Sequence, residues 1–97
     1  MAMYNPPHPG EFVYSTYMEP FGLSCRFSAS KLGVAASTLN RILKMQSGIR
    51  PEMALRLSIV LGRSPESWLA LQDAYDLRQA KQHIKLAGIN KLELLTA

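Results

Sequence analysis

The 97-residue sequence is poor in most of what catalysis, secretion or membrane insertion requires. It has one cysteine, Cys25, so no disulfide can close within the chain, and a reducing compartment is expected. Its two histidines, His8 and His83, stand apart, in no cluster of ligands at metal spacing. No Gly-rich phosphate loop follows a strand pattern. Cys25 lies beside Arg26 at a helix start, but no histidine shares that region to make it a nucleophile. No apolar run approaches the ~18 residues of a membrane span, and no basic-then-apolar leader opens the chain. A cytoplasmic protein without enzymatic activity, metal or cofactor is the expectation.

The most telling absence is one of charge. From Pro20 to Pro51 there is no Asp or Glu, although the protein holds seven elsewhere. The same stretch carries Arg26, Lys31, Arg41, Lys44 and Arg50. The remaining residues are close to neutral, so the net charge of +4 is concentrated here. A one-signed segment in a balanced protein is the electrostatic footprint expected of a polyanion site, and equally of a solvated basic face.

Apolar residues make up 47% of the chain, with Leu, Ala and Met ahead of the β-branched types, which favours helix over sheet. Start and stop signals divide it into five short helices. Pro9 or Gly10 opens the first, "EFVYSTYME", and Pro20 and Gly22 end it. Ser24 caps the second, "CRFSASKL", which stops at Gly33. The third is "STLNRILK", with Leu39, Ile42 and Leu43 on its apolar side. Pro51 and Gly62 bracket the fourth. Ser64, Pro65 and Glu66 open a fifth that runs to about Lys81. The apolar residues of "HIKLAGINKLELLTA" fit a last helical turn, a strand, or a tail that orders on a partner. The fold class expected is all-α, one domain over residues 1–97, with an N-terminal arm at 1–8 and a C-terminal tail at 82–97.

Residues 24–44 carry a sharper pattern. Two helices that cross steeply across a tight turn need a small residue inside the first, a residue tolerant of positive φ in the turn, and an apolar plug on the second. Ala29, Gly33 and Leu39 meet these demands in order, with Val34 and Ile42 adding apolar contacts. A helix-turn-helix is the reading, with the acid-free flanks in support.

Three stretches, "HPGEFVYSTYMEPFGLS", "ASKLGVAASTLNRIL" and "GIRPEMALRLSIVLGRSPESWLALQDAYDL", resemble the HigA-type antitoxins of bacterial toxin–antitoxin modules. These belong to the wider Xre/Cro-like helix-turn-helix repressors. The resemblance spans about Pro7 to Leu77. It implies a compact five-helix, lambda repressor-like fold and a homodimer on a palindromic double-stranded DNA operator in its own promoter. It also implies a protein partner, a HigB/RelE-like toxin that cuts mRNA. A stand-alone regulator, or an interaction module that has lost DNA binding, is the alternative. The chain departs from the family pattern at two places. Cys25 stands where Gln is frequent, and "KMQS" (residues 44–47) stands where many relatives read Asn-Gly-Lys-Arg.

Base edges in the major groove are read by Arg, Asn and small hydroxyls. Arg41 and Asn40 are the expected base readers, Ser37 and Thr38 bond base or phosphate, and Lys44, Arg26 and Ser47 contact the backbone. Trp68, Leu71 and Tyr75 stand at helical spacing on the fifth helix, with Leu77 beyond them. Burial in the chain's own core is expected for Trp68, and the resemblance implies that part of this surface, with Leu77, makes the dimer contact. The methionines read as packing residues.

Overall fold

The computed structural model describes residues 5–94, so part of the expected arm (residues 1–4) and of the expected tail (residues 95–97) lies outside the described residues. Five α-helices follow in order: α1 (Pro9–Val13), α2 (Cys25–Leu32), α3 (Ala36–Leu43), α4 (Pro51–Leu61) and α5 (Pro65–His83). The described residues contain no strand.

The caps sit where the sequence places them. Ser24 Oγ accepts from the Phe27 amide at 3.1 Å and Ser64 Oγ from the Ser67 amide at 3.1 Å, each satisfying a helix-start donor. Gly33 ends α2 in the left-handed conformation, φ 73°. The first helix differs from expectation. After Val13 the chain widens into a π turn over Tyr14–Met18 and then tightens into a 3₁₀ turn over Glu19–Phe21. Pro20 accounts for the change, because it has no N–H and its ring would strike the Thr16 carbonyl in a regular helix. The wider turn carries Met18 into the core, with Tyr17 half-buried beside it.

Trp68 is the centre of the core and is 0% exposed. Its indole N–H donates to the Gly62 carbonyl at 2.9 Å, which satisfies the one polar group the ring brings inside. Phe12 and Tyr17 lie 5.9 and 6.0 Å from it, centroid to centroid, and the Arg63 guanidinium covers both Phe12 and Trp68 at 5.1 and 5.4 Å. Leu39, Ile42, Ala54 and Leu57 bring α3 and α4 to the same core.

Helix α1 is wedged between α3 and α5. His8 caps it, Nδ1 accepting from the Gly10 amide at 2.9 Å, and meets Tyr75 of α5 edge-on at 4.8 Å. Burial holds the His8 pKa below its ordinary value against the pull of Asp76 and Glu11, so the ring is neutral and its Nδ1 free to accept. On the other side Gly10 lies directly on the backbone of α3. A Cβ there would overlap the Ile42 carbonyl oxygen and stand 3.1 Å from Leu43 Cα.

Only the first part of α5 is in the core. Trp68 and Gln72 are its buried residues, and none of the described residues from Asp73 onward is buried. The helix reaches His83, two residues past the expected end, so the segment without helix begins at Ile84 rather than at 82. Residues 84–94 form neither helix nor strand and are exposed throughout. No helix among the described residues is long and apolar enough to cross a membrane.

Gly10→Ala tests the α1–α3 contact. Neither backbone can yield without moving its whole helix, so the variant is expected to lose about 1–3 kcal/mol or more. That corresponds to roughly 4–8 °C in Tm per kcal/mol for a domain of this size. A thermal melt within a degree of the parent protein would show that the two helices separate freely.

Candidate nucleic-acid interface

The α2–α3 crossing is built from the three residues singled out in the sequence. Ala29 and Leu39 are both buried, and the Gly33 amide donates to the Ser30 carbonyl at 3.1 Å. The next amide, Val34, reaches the Ala29 carbonyl at 3.0 Å, closing the end of α2. The Cys25 thiol donates weakly to the Ala36 carbonyl at 3.5 Å, so a short side chain ties the start of α2 to the start of α3.

Helix α3 buries Leu39 and Ile42 and leaves Ser37, Arg41 and Lys44 exposed. Those three positions, four and three apart, form one outward stripe. Thr38 and Asn40 are half-buried and flank it on opposite shoulders. Thr38 lines a groove with Ser47, Arg50 and Arg56, whereas Asn40 lines one with Cys25, Glu11 and Tyr14. Arg26, in the first turn of α2, and Ser47, in the loop after α3, are exposed. Ala35 precedes α3 and has no side chain to cap it, which leaves the positive end of the helix dipole uncovered. Among the described residues, none of Arg26, Arg41, Lys44 and Arg50 is within ion-pair distance of a carboxylate.

What holds α3 in place was not apparent from the sequence. Arg56 of α4 donates from Nη1 to the Leu32 carbonyl at 2.8 Å and to the Gly33 carbonyl at 3.3 Å. Nη2 meets Glu52 Oε1 at 3.0 Å, which orients the guanidinium. The turn before α3 is thus clamped at carbonyls that α2 leaves unpaired. The loop after α3 is held by Gln72 of α5. Its Oε1 accepts from the Ile49 amide at 2.8 Å and its Nε2 donates to Asp76 Oδ1 at 3.0 Å. Gly48 allows this approach, since a Cβ there would lie 2.8–2.9 Å from the Gln72 amide group.

Met45 corrects the reading of methionines as packing residues. It is 53% exposed and its φ is +62°, the left-handed region that costs an L-residue roughly 1–2 kcal/mol. Glycine would adopt this conformation without that cost.

The four residues assigned to a dimer contact separate in the structure. Trp68 is fully inside the chain's own core, so its side chain is not available to a second copy. Leu71 is half-buried against that core, and Tyr75 is half-buried against His8. Leu77 alone is free, at 60% exposure.

Gln72→Met keeps the volume of the side chain but leaves the buried Ile49 amide without an acceptor. The variant should lose about 1–3 kcal/mol in urea denaturation. Stability equal to that of the parent would mean that water replaces the amide and that Gln72 is no brace.

Comparison with known proteins agrees with this geometry. A helix-turn-helix family model matches residues 17–68, more than half of the chain. An uncharacterized HTH-type transcriptional regulator of Escherichia coli K12, YddM, is 35% identical over 92 residues, which cover 95% of this chain and 97% of that protein. The structure of the antitoxin GraA in complex with its operator is 42% identical with a TM-score of 0.81, covering 100% of this chain and 97% of GraA. The Pseudomonas aeruginosa antitoxin HigA with the higBA promoter is 32% identical with a TM-score of 0.71, covering 86% of this chain and 99% of HigA. With its crossing, its acid-free segment and these relatives taken together, the chain belongs to the Xre-like helix-turn-helix family of DNA-binding proteins, among the HigA-type antitoxins.

Proposed function

We propose that this protein is a cytoplasmic antitoxin that represses its own operon as a dimer on a palindromic operator and neutralises a HigB/RelE-like, mRNA-cleaving toxin. The observation that carries the DNA half is the Ser37–Arg41–Lys44 stripe, exposed on a helix within the acid-free segment Pro20–Pro51. GraA, of nearly the same length and 42% identical, is known in complex with its operator. In this reading α3 lies in the major groove, with Arg41 bidentate to guanine and Ser37 beside it. Thr38 and Asn40 reach the groove walls from the two shoulders. Arg26, Lys44 and Ser47 meet phosphates, and the uncapped start of α3 adds a favourable dipole. The toxin half rests on the likeness to antitoxins alone. YddM carries the name of a transcriptional regulator, so a free-standing regulator is the second reading, and a toxin frame beside the gene separates the two.

Arg41→Ala is the direct test. The side chain is exposed and supports nothing in the fold, so the melt should not change. Losing a bidentate guanine contact removes about 1–3 kcal/mol of discrimination, or roughly tenfold to a hundredfold in operator affinity. Binding to random DNA should fall much less, and rescue of cells co-expressing the toxin should persist. Equal losses on both DNAs would make Arg41 a phosphate contact. Unchanged operator affinity would place it outside the interface.

The dimer rests on the far half of α5 and the segment beyond it. Leu77, Ile84, Leu86, Ile89, Leu92 and Leu94 are all more than half exposed, a run of apolar side chains with no cover in a single chain. The dimer contact therefore lies further along than Trp68. Sedimentation at micromolar concentration should give a dimer, with Leu77→Glu shifted towards monomer. A parent protein that sediments as a monomer would remove the dimer from the proposal.

A further inference from the structure

Beneath α2, on a side that none of the residues assigned to DNA lines, is a cavity of about 160 Å³. Met18, Leu32 and Leu39 form its floor, all three buried. One turn of α2 supplies the remaining chemistry: Phe27, Ser28 and Lys31, neighbours on the helix surface. The Ser28 hydroxyl is buried and has no hydrogen-bond partner. A helical serine ordinarily bonds the carbonyl one turn back, and leaving a buried hydroxyl unpaired is costly. The Lys31 ammonium stands 5.4 Å over the Phe27 ring, both at the exposed rim.

We infer that this cavity is a binding site for a small apolar carboxylic acid. The apolar body sits on the Met18–Leu32–Leu39 floor and the carboxylate pairs with Lys31 at the mouth, while the Ser28 hydroxyl, sealed in the free protein, turns about its Cα–Cβ bond to donate to it. Size and charge both point to this class. The volume is that of the engineered lysozyme cavity, ~150 Å³, that takes up benzene, so one ring or a chain of similar bulk fills it. A larger amphiphile leaves its tail in water. The partner-less hydroxyl requires an acceptor, and the ammonium at the mouth selects an anionic one. Because the site and the α3 stripe share no residue, acid and DNA can be bound together.

Benzoate is the probe, with acetate at equal ionic strength as control and benzyl alcohol as the uncharged analogue. Titrated into the full chain and followed by two-dimensional amide NMR, benzoate should give saturable shifts centred on Ser28, Lys31 and Leu39, in the millimolar range or tighter. Acetate should give none, and benzyl alcohol should bind more weakly. Lys31→Met, which keeps the aliphatic stem over Phe27, should weaken benzoate roughly tenfold. Ser28→Ala should weaken it as well, and in the absence of benzoate should raise Tm by a few degrees because the orphan hydroxyl is gone. Shifts that acetate reproduces, shifts scattered over surface lysines, or benzoate affinity unchanged in both variants would each overturn the assignment. So would the absence of any saturable shift.

Discussion

The close approach of Gly10 to the backbone of α3 is the contact on which the arrangement of the other helices depends. With no side chain between them, α1 lies on the Ile42 carbonyl, and every other residue of α1 takes its position from that seat. Phe12 is delivered to Trp68, and His8 to Tyr75 on α5. The angle between α3 and the long last helix is therefore set through one glycine. A methyl group there would not be absorbed by a rotamer change, because its neighbours are peptide atoms.

Two further braces act on main chain rather than on side chains. Arg56 grips the carbonyls before α3, and Gln72 grips an amide after it. Each replaces water at a backbone group that the helix ends would otherwise leave unpaired, and at the buried Ile49 amide such a loss is expensive. The Arg56–Glu52 pair itself is a partly exposed i,i+4 contact and adds little stability. Its effect is to hold the guanidinium in the orientation that reaches the carbonyls.

Much of this was legible in the chain because the signals are local. Ser24, Gly33, Pro51, Ser64 and Pro65 mark helix ends through their own backbone chemistry, and Ala29, Gly33 and Leu39 encode the crossing within eleven residues. The braces were not legible. Arg56 and Gln72 act over 23 or 24 residues of separation, and by type they read as an ordinary surface arginine and glutamine. The π turn depends on Pro20 acting back on a turn already begun. Helical spacing joins Trp68 to Leu71 and Tyr75, with Leu77 beyond them, but it carries no information about where a neighbouring helix stops, and α5 leaves the core after Gln72. The exposed stripe of α3 was found from charge and type. Thr38 and Asn40 fell on opposite shoulders of it, which required the packing of α1, α2 and α4.

Because α3 is anchored by its inner face and by backbone groups at both ends, Ser37, Arg41 and Lys44 have no part in holding the fold. Substitutions there are close to neutral for folding, whatever they do to recognition. If the proposed α3 interface holds, the protein's address on the genome can be rewritten while its thermodynamic foundation stays constant. Divergence among such repressors should then accumulate at the outward stripe, with the glycine seat and the two polar braces left in place.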